Sequence, residues 1–272
     1  MQRTPRLPRL RLFVSRVWAT RATPRHAPGV RFERVLPTGA SHLVIRLGSD
    51  PLRLEKSGRD ETLTGSALGG VHARAYRKDV SRPVACVGAM LAPGAIPALF
   101  GVPADAFAGR HVSLDAMIGN ESDRIADRLA ASDDLASRLD LFEAWLAARS
   151  PEVHGLHPGV ARAIAASNHP ETSAGALAAR ASLSPRRFSS VFREAVGVAP
   201  KRWLRLRRFQ TVVERAGTPD VVWSDLACQL GYSDQAHLVR EFREIADLTP
   251  TVYRRLAPPA ANHVPWVGDP PG

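Results

Sequence analysis

The sequence predicts an α+β protein in two parts, a β-rich N-terminal half followed by an all-helical C-terminal half. Three observations carry that division. Between residues 30 and 118 the apolar residues fall in short alternating or β-branched runs, broken by Gly, Pro and Asp. From residue 159 onward they recur at helical spacing instead. Within this second half one helical unit is written twice.

The first copy runs from Leu177 to Trp203 and the second from Leu226 to Tyr253. Ahead of a tight turn the register is 49 residues, placing Leu177 on Leu226, Ala178 on Ala227, Leu183 on Tyr232 and Ser184 on Ser233. Beyond the turn it is 50, placing Phe188 on Leu238, Phe192 on Phe242, Arg193 on Arg243, Pro200 on Pro250 and Trp203 on Tyr253. One extra turn residue in the second copy accounts for the slip. A solenoid needs three or more repeats, so two copies imply a paired module.

Each copy has the grammar of a helix-turn-helix. A short helix with a small residue on its inner face (Ala178, Ala227) ends at Ser182-Leu183 or Gly231-Tyr232. Ser184 then offers an N-cap with Pro185 at the first helical position, and Ser233 and Asp234 offer the equivalent caps. The second helix of each copy carries a one-sided apolar stripe: Phe188, Val191, Phe192 and Ala195, then Leu238, Phe242 and Ile245. Its other face is polar. Arg and Gln pair bidentately with guanine and adenine edges in the major groove. Arg186, Arg187, Ser189 and Ser190 are therefore the base-reading candidates of the first unit, and Gln235, His237 and Arg240 those of the second. Any exposed helix carries such residues on its solvated face; their recurrence inside two matching frames is what favours DNA.

A helix from Pro200 to Ala216 joins the units, with Trp203, Leu206, Phe209 and Val213 on one face and Lys201, Arg205 and Arg208 on the other. Seventeen residues at about 1.5 Å each span roughly 25 Å. With the width of the flanking units, that can hold two reading helices near the ~34 Å of one DNA turn. Arg193, Lys201, Arg205, Arg208, Arg243 and Arg254 are the phosphate candidates, with Arg255 beside the last; such contacts position a protein without reading sequence.

The doubled pattern, GYSDQAHL and REFRE at 231–244 and the closing TP and YRR at 249–255 resemble the DNA-binding domain of AraC/XylS-type transcription regulators over Gly159 to Arg255. The resemblance implies an all-helical domain with two helix-turn-helix units joined by a long helix, whose recognition helices enter successive major grooves of double-stranded promoter DNA. Two departures stand out. Ser182 occupies a position where glycine is common, and Ser190 stands where the second copy has Arg240, which implies weaker or more permissive reading by the first unit.

In the first half, VRFERVLP, HLVIRLG, LRLEK and VACVGAML read as strands. Helices are expected at AIPALFG and from Glu121 to Arg149, the latter broken near Ser132-Asp133-Asp134. The segments ERVLPTG, HLVIRLG, AIPALFGVPA and LDAMIG resemble the N-terminal sensor-like domain of many regulators of the same family. That resemblance implies a cupin-like β-barrel with attached helices, able to enclose a small-molecule effector and to form a homodimer. The expected division is a basic disordered leader at 1–9, a sensor or dimerisation domain at 10–149, a linker at 150–158, the DNA-binding domain at 159–256 and a disordered proline-rich tail at 257–272.

Charge supports this reading. The net charge is +11; residues 1–31 hold eight Arg and no acid, and residues 157–257 hold 15 basic against 9 acidic side chains, whereas 32–156 are nearly balanced at 14 and 16. The excess lies where phosphate would be met. No apolar run reaches about 18 residues, so no membrane partner is expected. Cys86 and Cys228 are too few for a disulfide framework or zinc site; both are expected to be buried in a cytoplasmic protein. His26, His42, His72 and His111 lack the paired spacing of a metal site, and Glu33, Glu55, Asp60 and Glu61, placed in turns and strand edges, have no partner nucleophile. No Gly-rich phosphate loop is present. No cofactor, metal or catalytic residue is therefore assigned. The expected function is sequence-specific transcription regulation, with RNA polymerase as a further partner. The rivals are a nonspecific or architectural nucleic-acid binder and a cupin-type enzyme.

Overall fold

The computed structural model describes residues 1–56, 58–150, 156–168, 172–218 and 221–266. Its N-terminal part is built from strands β1 (Gln2–Arg3), β2 (Val14–Thr20), β3 (Phe32–Val35), β4 (Ser41–Arg46), β5 (Leu52–Lys56), β6 (Arg59–Leu63), β7 (Ala67–Gly69), β8 (Tyr76–Asp79), β9 (Cys86–Leu91) and β10 (His111–Ser113). Between and after the last two come helices α1 (Ala95–Phe100), α2 (Asp115–Ile118), α3 (Glu121–Ala130) and α4 (Leu135–Arg149). The second part holds α5 (Pro158–Ala165), α6 (Ala174–Ala181), α7 (Pro185–Val196), α8 (Pro200–Ala216), α9 (Trp223–Gln229), α10 (Gln235–Ala246) and α11 (Pro250–Leu256), and a last strand, β11 (His263–Pro265), follows.

The strands form two antiparallel sheets, one ordered β1-β2-β9-β4-β7-β10 and the other β11-β3-β8-β5-β6. They enclose a cavity. Alternation decides which residues face it: along β4, Leu43 and Ile45 are buried against the helices, while His42, Val44 and Arg46 face inward. The outer face of the larger sheet is covered by α3 and α4, whose Ile125, Leu129, Leu139, Phe142 and Leu146 complete that core. Asp134 separates the two helices as an N-cap, accepting from Ser137 N at 2.7 Å, which matches the break expected near Ser132–Asp134. Gly88 has a steric reason: a Cβ there would sit 2.3 Å from the Trp18 ring.

Three expectations are corrected. Residues 1–9 are ordered: β1 pairs with β2, and Arg3 donates to Glu143 Oε1 through Nε (3.0 Å) and Nη2 (2.8 Å). Glu143 is 2% exposed and accepts from Arg6 N as well, so the basic leader supplies the partners that a buried carboxylate needs. The tail is ordered through Trp266, because β11 adds to the edge of β3 with His263 opposite Val35 and Val264 opposite Arg34. The residues expected beyond that, 267–272, lie outside the described residues, as do 151–155 of the expected linker. Finally, Cys228 is exposed and Cys86 only half-buried; α9 buries Leu226 and Ala227, and Cys228 lies on its other face.

The helical part shares its core with the strands. Phe188, Phe192, Trp203, Leu206, Phe209, Phe242 and Tyr253 form one buried cluster together with Leu36 and Val71 from the first part and Val264 from β11. The division in space is therefore not the division along the chain.

Candidate nucleic-acid interface and the cavity behind it

The repeat read from the sequence recurs in backbone conformation. The turns between α6 and α7 and between α9 and α10 place Ser182 (φ 55°) and Gly231 (φ 71°) in the left-handed region, 49 residues apart. The ends of α7 and α10 place Gly197 (φ 98°) and Asp247 (φ 58°) there, 50 apart. A left-handed residue closes a helix by donating back to the last turn, and Gly197 N and Asp247 N do so to Arg193 O and Arg243 O at 2.7 and 2.9 Å. Ser184 caps α7 by accepting from Arg187 N at 3.3 Å, and Asp234 caps α10 by accepting from His237 N at 2.6 Å. Of the two cap candidates in the second copy it is Asp234, not Ser233, that fills the position.

In both second helices the large members of the expected stripe, Phe188 and Phe192, then Leu238, Phe242 and Ile245, are buried, while Val191 and Ala195 are half-buried. Arg186, Arg187, Gln235 and Arg240 are exposed, while Ser189, Ser190 and His237 are half-buried. Ser190 donates to Glu194 Oε1 at 2.9 Å, and the His237 ring lies edge-on to Tyr232 with Nδ1 3.2 Å from Ser233 Oγ. The phosphate candidates divide. Lys201 and Arg243 are exposed and Arg254 lies over the Trp223 ring at 5.5 Å. Arg193 is 3.8 Å from Asp105.

Arg205 and Arg208 do not form the outward stripe that their spacing suggested. Arg205 donates to Glu241 Oε2 at 2.7 Å and pairs with Glu244, while Arg208 lies 3.8 Å from Glu241 and over the Tyr232 ring at 4.9 Å. Glu241 is 7% exposed and also accepts from Tyr232 Oη at 2.9 Å. A carboxylate buried on α10 requires cations, and α8 supplies them. This network locks α8, α10 and the second turn together.

Behind the helical part, the two sheets enclose a cavity of about 390 Å³. Trp18, Val44, Leu52, Leu54 and Met90 give it an apolar band, with Arg46 toward one end and His42, Tyr76 and His111 toward the other. His72 completes a packed group, its ring centroid 4.7 Å from those of both His111 and Tyr76. These histidines are gathered rather than scattered, yet no set of three or more ligands suited to a metal ion occurs among the described residues. Glu33, expected at a turn or strand edge, is instead fully buried in the wall. It meets His26 Nε2 (2.9 Å), His263 Nδ1 (2.8 Å), Lys78 Nζ (3.4 Å) and Arg25 Nη1 (3.5 Å). Burial alone would raise its pKa; the His263 hydrogen bond and the cations outweigh that and hold the carboxyl well below the usual range. His263 reaches this wall from beyond α11, a placement with no signal in the sequence.

A two-sheet domain that carries paired helix-turn-helix units defines a class, the DNA-binding regulators with an attached cavity domain. Residues 177–256 match a family model described as a helix-turn-helix domain, and residues 2–113 match a domain of unknown function (DUF6597). The former places an AraC-type helix-turn-helix domain in the C-terminal part of the chain. No curated protein matches it. Among solved structures, the DNA-binding domain of AdpA, a global transcriptional factor in complex with a target DNA, is similar at 30% identity, covering 36% of this chain and 90% of that one (TM-score 0.34). The C-terminal domain of the response regulator AraT from Geobacillus stearothermophilus is similar at 22% identity, covering 37% and 86% (TM-score 0.35). ToxT from Vibrio cholerae is similar at 8% identity over 88% and 95% (TM-score 0.47).

The histidine group gives the fold a pH dependence. Burial lowers the pKa of His42 to about 4 and of His72 to about 3, and lowers that of His111 further. The ordinary value is about 6.5, so below it the unfolded chain binds protons that the folded chain does not. The stability from these groups is present above about pH 6.5 and is lost as pH falls toward about 4. Calorimetry of the full chain should show the melting temperature declining between about pH 7 and about pH 4.5, and a flat or rising profile would contradict the placement of these rings.

Proposed function

We propose that the chain is a sequence-specific transcription regulator whose α7 and α10 enter successive major grooves of double-stranded DNA. The observation that carries this reading is the matched geometry of the two units, with side-chain caps and left-handed closures at equivalent positions, in a helix-turn-helix domain. Arg186, Arg187, Ser189 and Ser190 on α7 and Gln235, His237 and Arg240 on α10 read bases; Lys201, Arg243 and Arg254 meet phosphate, with Arg193 at the edge of the surface. Arg205 and Arg208 hold α8 to α10 and serve DNA only through that. A uniformly basic binder needs no such matched frames, which disfavours the architectural reading. A second copy and RNA polymerase are the protein partners this role calls for.

The cavity is the effector site in this reading. Arg46 has its Nε buried without a partner and its Nη2 on Asp50 O at 2.7 Å. With the apolar band beside it, this suits a small molecule with an apolar body and an acceptor or anionic group. The Val44→Trp chain, its cavity filled, should lose the thermal shifts that small carboxylates induce in the unaltered chain; shifts that persist would place the compounds elsewhere.

Selection of bound duplexes from a random pool tests the main reading. On the enriched site, Arg240→Ala should cost about 1–3 kcal/mol and relax one base position. Equal loss on the selected site and on random DNA would leave Arg240 a phosphate contact and refute its reading role.

A further inference from the structure

The barrel grips both reading helices at the same place. Gly94 N donates to Ala195 O of α7 at 2.8 Å, and Ala75 N donates to Ile245 O of α10 at 2.7 Å. Ala195 and Ile245 are 50 residues apart, the register of the repeat beyond its turn, so they are equivalent positions in the two copies. Each carbonyl lies in the last turn of its helix, where no intrahelical donor remains. Ion pairs flank both contacts, though not at equivalent positions: Arg193 of α7 faces Asp105 at 3.8 Å, while on the α10 side Glu244 faces Arg74 at 3.4 Å and Asp247 faces Arg34 at 3.3 Å.

A third attachment closes the arrangement. Beyond α11 the chain returns to the barrel as β11, with Leu36 N donating to Asn262 O and Trp266 N to Phe32 O, at 2.9 and 2.8 Å. Tyr253 Oη of α11 donates to Ala261 O at 3.0 Å. Gln210 Nε2, midway along α8, donates to Pro37 O and to Asn262 Oδ1 at 2.5 and 3.1 Å. The Trp266 ring is covered by the guanidinium groups of Arg34 and Arg77 at 4.2 and 4.5 Å.

We propose that the barrel is a gauge that fixes the separation of the two reading helices, and that β11 is the strap that holds the helical half against it. The proposal rests on α7 and α10 being the DNA-reading elements. The Arg205–Glu241 network ties α8 to the second unit; anchoring the ends of both α7 and α10 to one two-sheet body relates the first unit to the second as well. The grips also continue into the cavity wall. Gly94 follows β9, Ala75 precedes β8, and β11 brings Asn262 and His263, all from elements whose residues line the cavity. An occupant that shifts these strands changes the spacing that the gauge sets.

The test reads spacing stringency with the full chain and its selected two-block site. Affinity is compared between that site, the same site with two base pairs inserted between the blocks, and a single block. The unaltered chain should prefer the selected spacing by at least ~10-fold over the inserted one. A chain ending at Ala257 should bind the single block as before but prefer the selected spacing by no more than ~3-fold. The double variant Trp266→Ala/Gln210→Ala, which keeps the tail, should fall between the two. A preference that stays at its original size in both variants would overturn the proposal, and so would equal loss on all three sites, since a gauge governs only the relation between blocks. Selection of a one-block site by the unaltered chain would overturn the gauge and leave DNA reading intact; selection of no sequence at all would overturn the DNA-reading conclusion itself.

Discussion

Two helix ends in this protein face the same problem, a last-turn carbonyl without an intrahelical donor, and both solve it with a backbone N–H of the barrel. Much of the architecture is arranged around that pair of contacts. Helices α7 and α10 must end where they do, which the left-handed Gly197 and Asp247 achieve. The barrel must present Gly94 and Ala75 at matching places, which requires β8 and β9 to lie in facing sheets. The shared core of Phe188, Phe192, Phe209 and Phe242 with Leu36 and Val71 fills the space between. A short helix-turn-helix unit has little apolar surface to bury by itself, so borrowing a wall from the barrel stabilises both units while relating them to each other.

Electrostatics follow from the same packing. Three carboxylates are buried, Glu33 in the cavity wall, Glu143 on α4 and Glu241 on α10, and each collects hydrogen-bond partners from a distant part of the sequence. Glu33 draws His263 from beyond α11, Glu143 draws Arg3 from the N-terminus, and Glu241 draws Arg205 from α8. A single unpaired carboxylate in such a place is strongly destabilising. These pairs therefore act as locks on tertiary placement, and they remove several arginines from the pool free to meet phosphate. The basic excess of the chain overstates its DNA-facing charge.

The helical repeat was legible because it is local. Caps, turn glycine and apolar stripe all lie within a few residues of one another, and Ser184, Pro185, Asp234 and Gly231 announce themselves by chemistry that holds wherever the helix sits. The strands with β-branched alternation, such as HLVIR of β4, were legible for the same reason. What escaped was non-local. The tripeptide His263–Pro265 is too short to carry a strand pattern and becomes one only because the edge of β3 is open to it. The leader, rich in Arg and Pro, reads as disordered until Glu143 is known to lie buried 140 residues away. Arg205 sits on a face that looks solvated in a helical projection, and its direction is decided by a glutamate on another helix. The gathered His42, His72 and His111 depend on strand register, which no spacing along the chain reveals.

The central claim is that one chain reads DNA with two helices held as a fixed pair. Hydroxyl-radical footprinting of the full chain on a selected duplex tests it most directly. The account predicts two protected stretches on one face of the duplex, their centres about one helical turn, ~10 base pairs, apart. A single protected stretch, or protection that spreads without phase along the duplex, would contradict it.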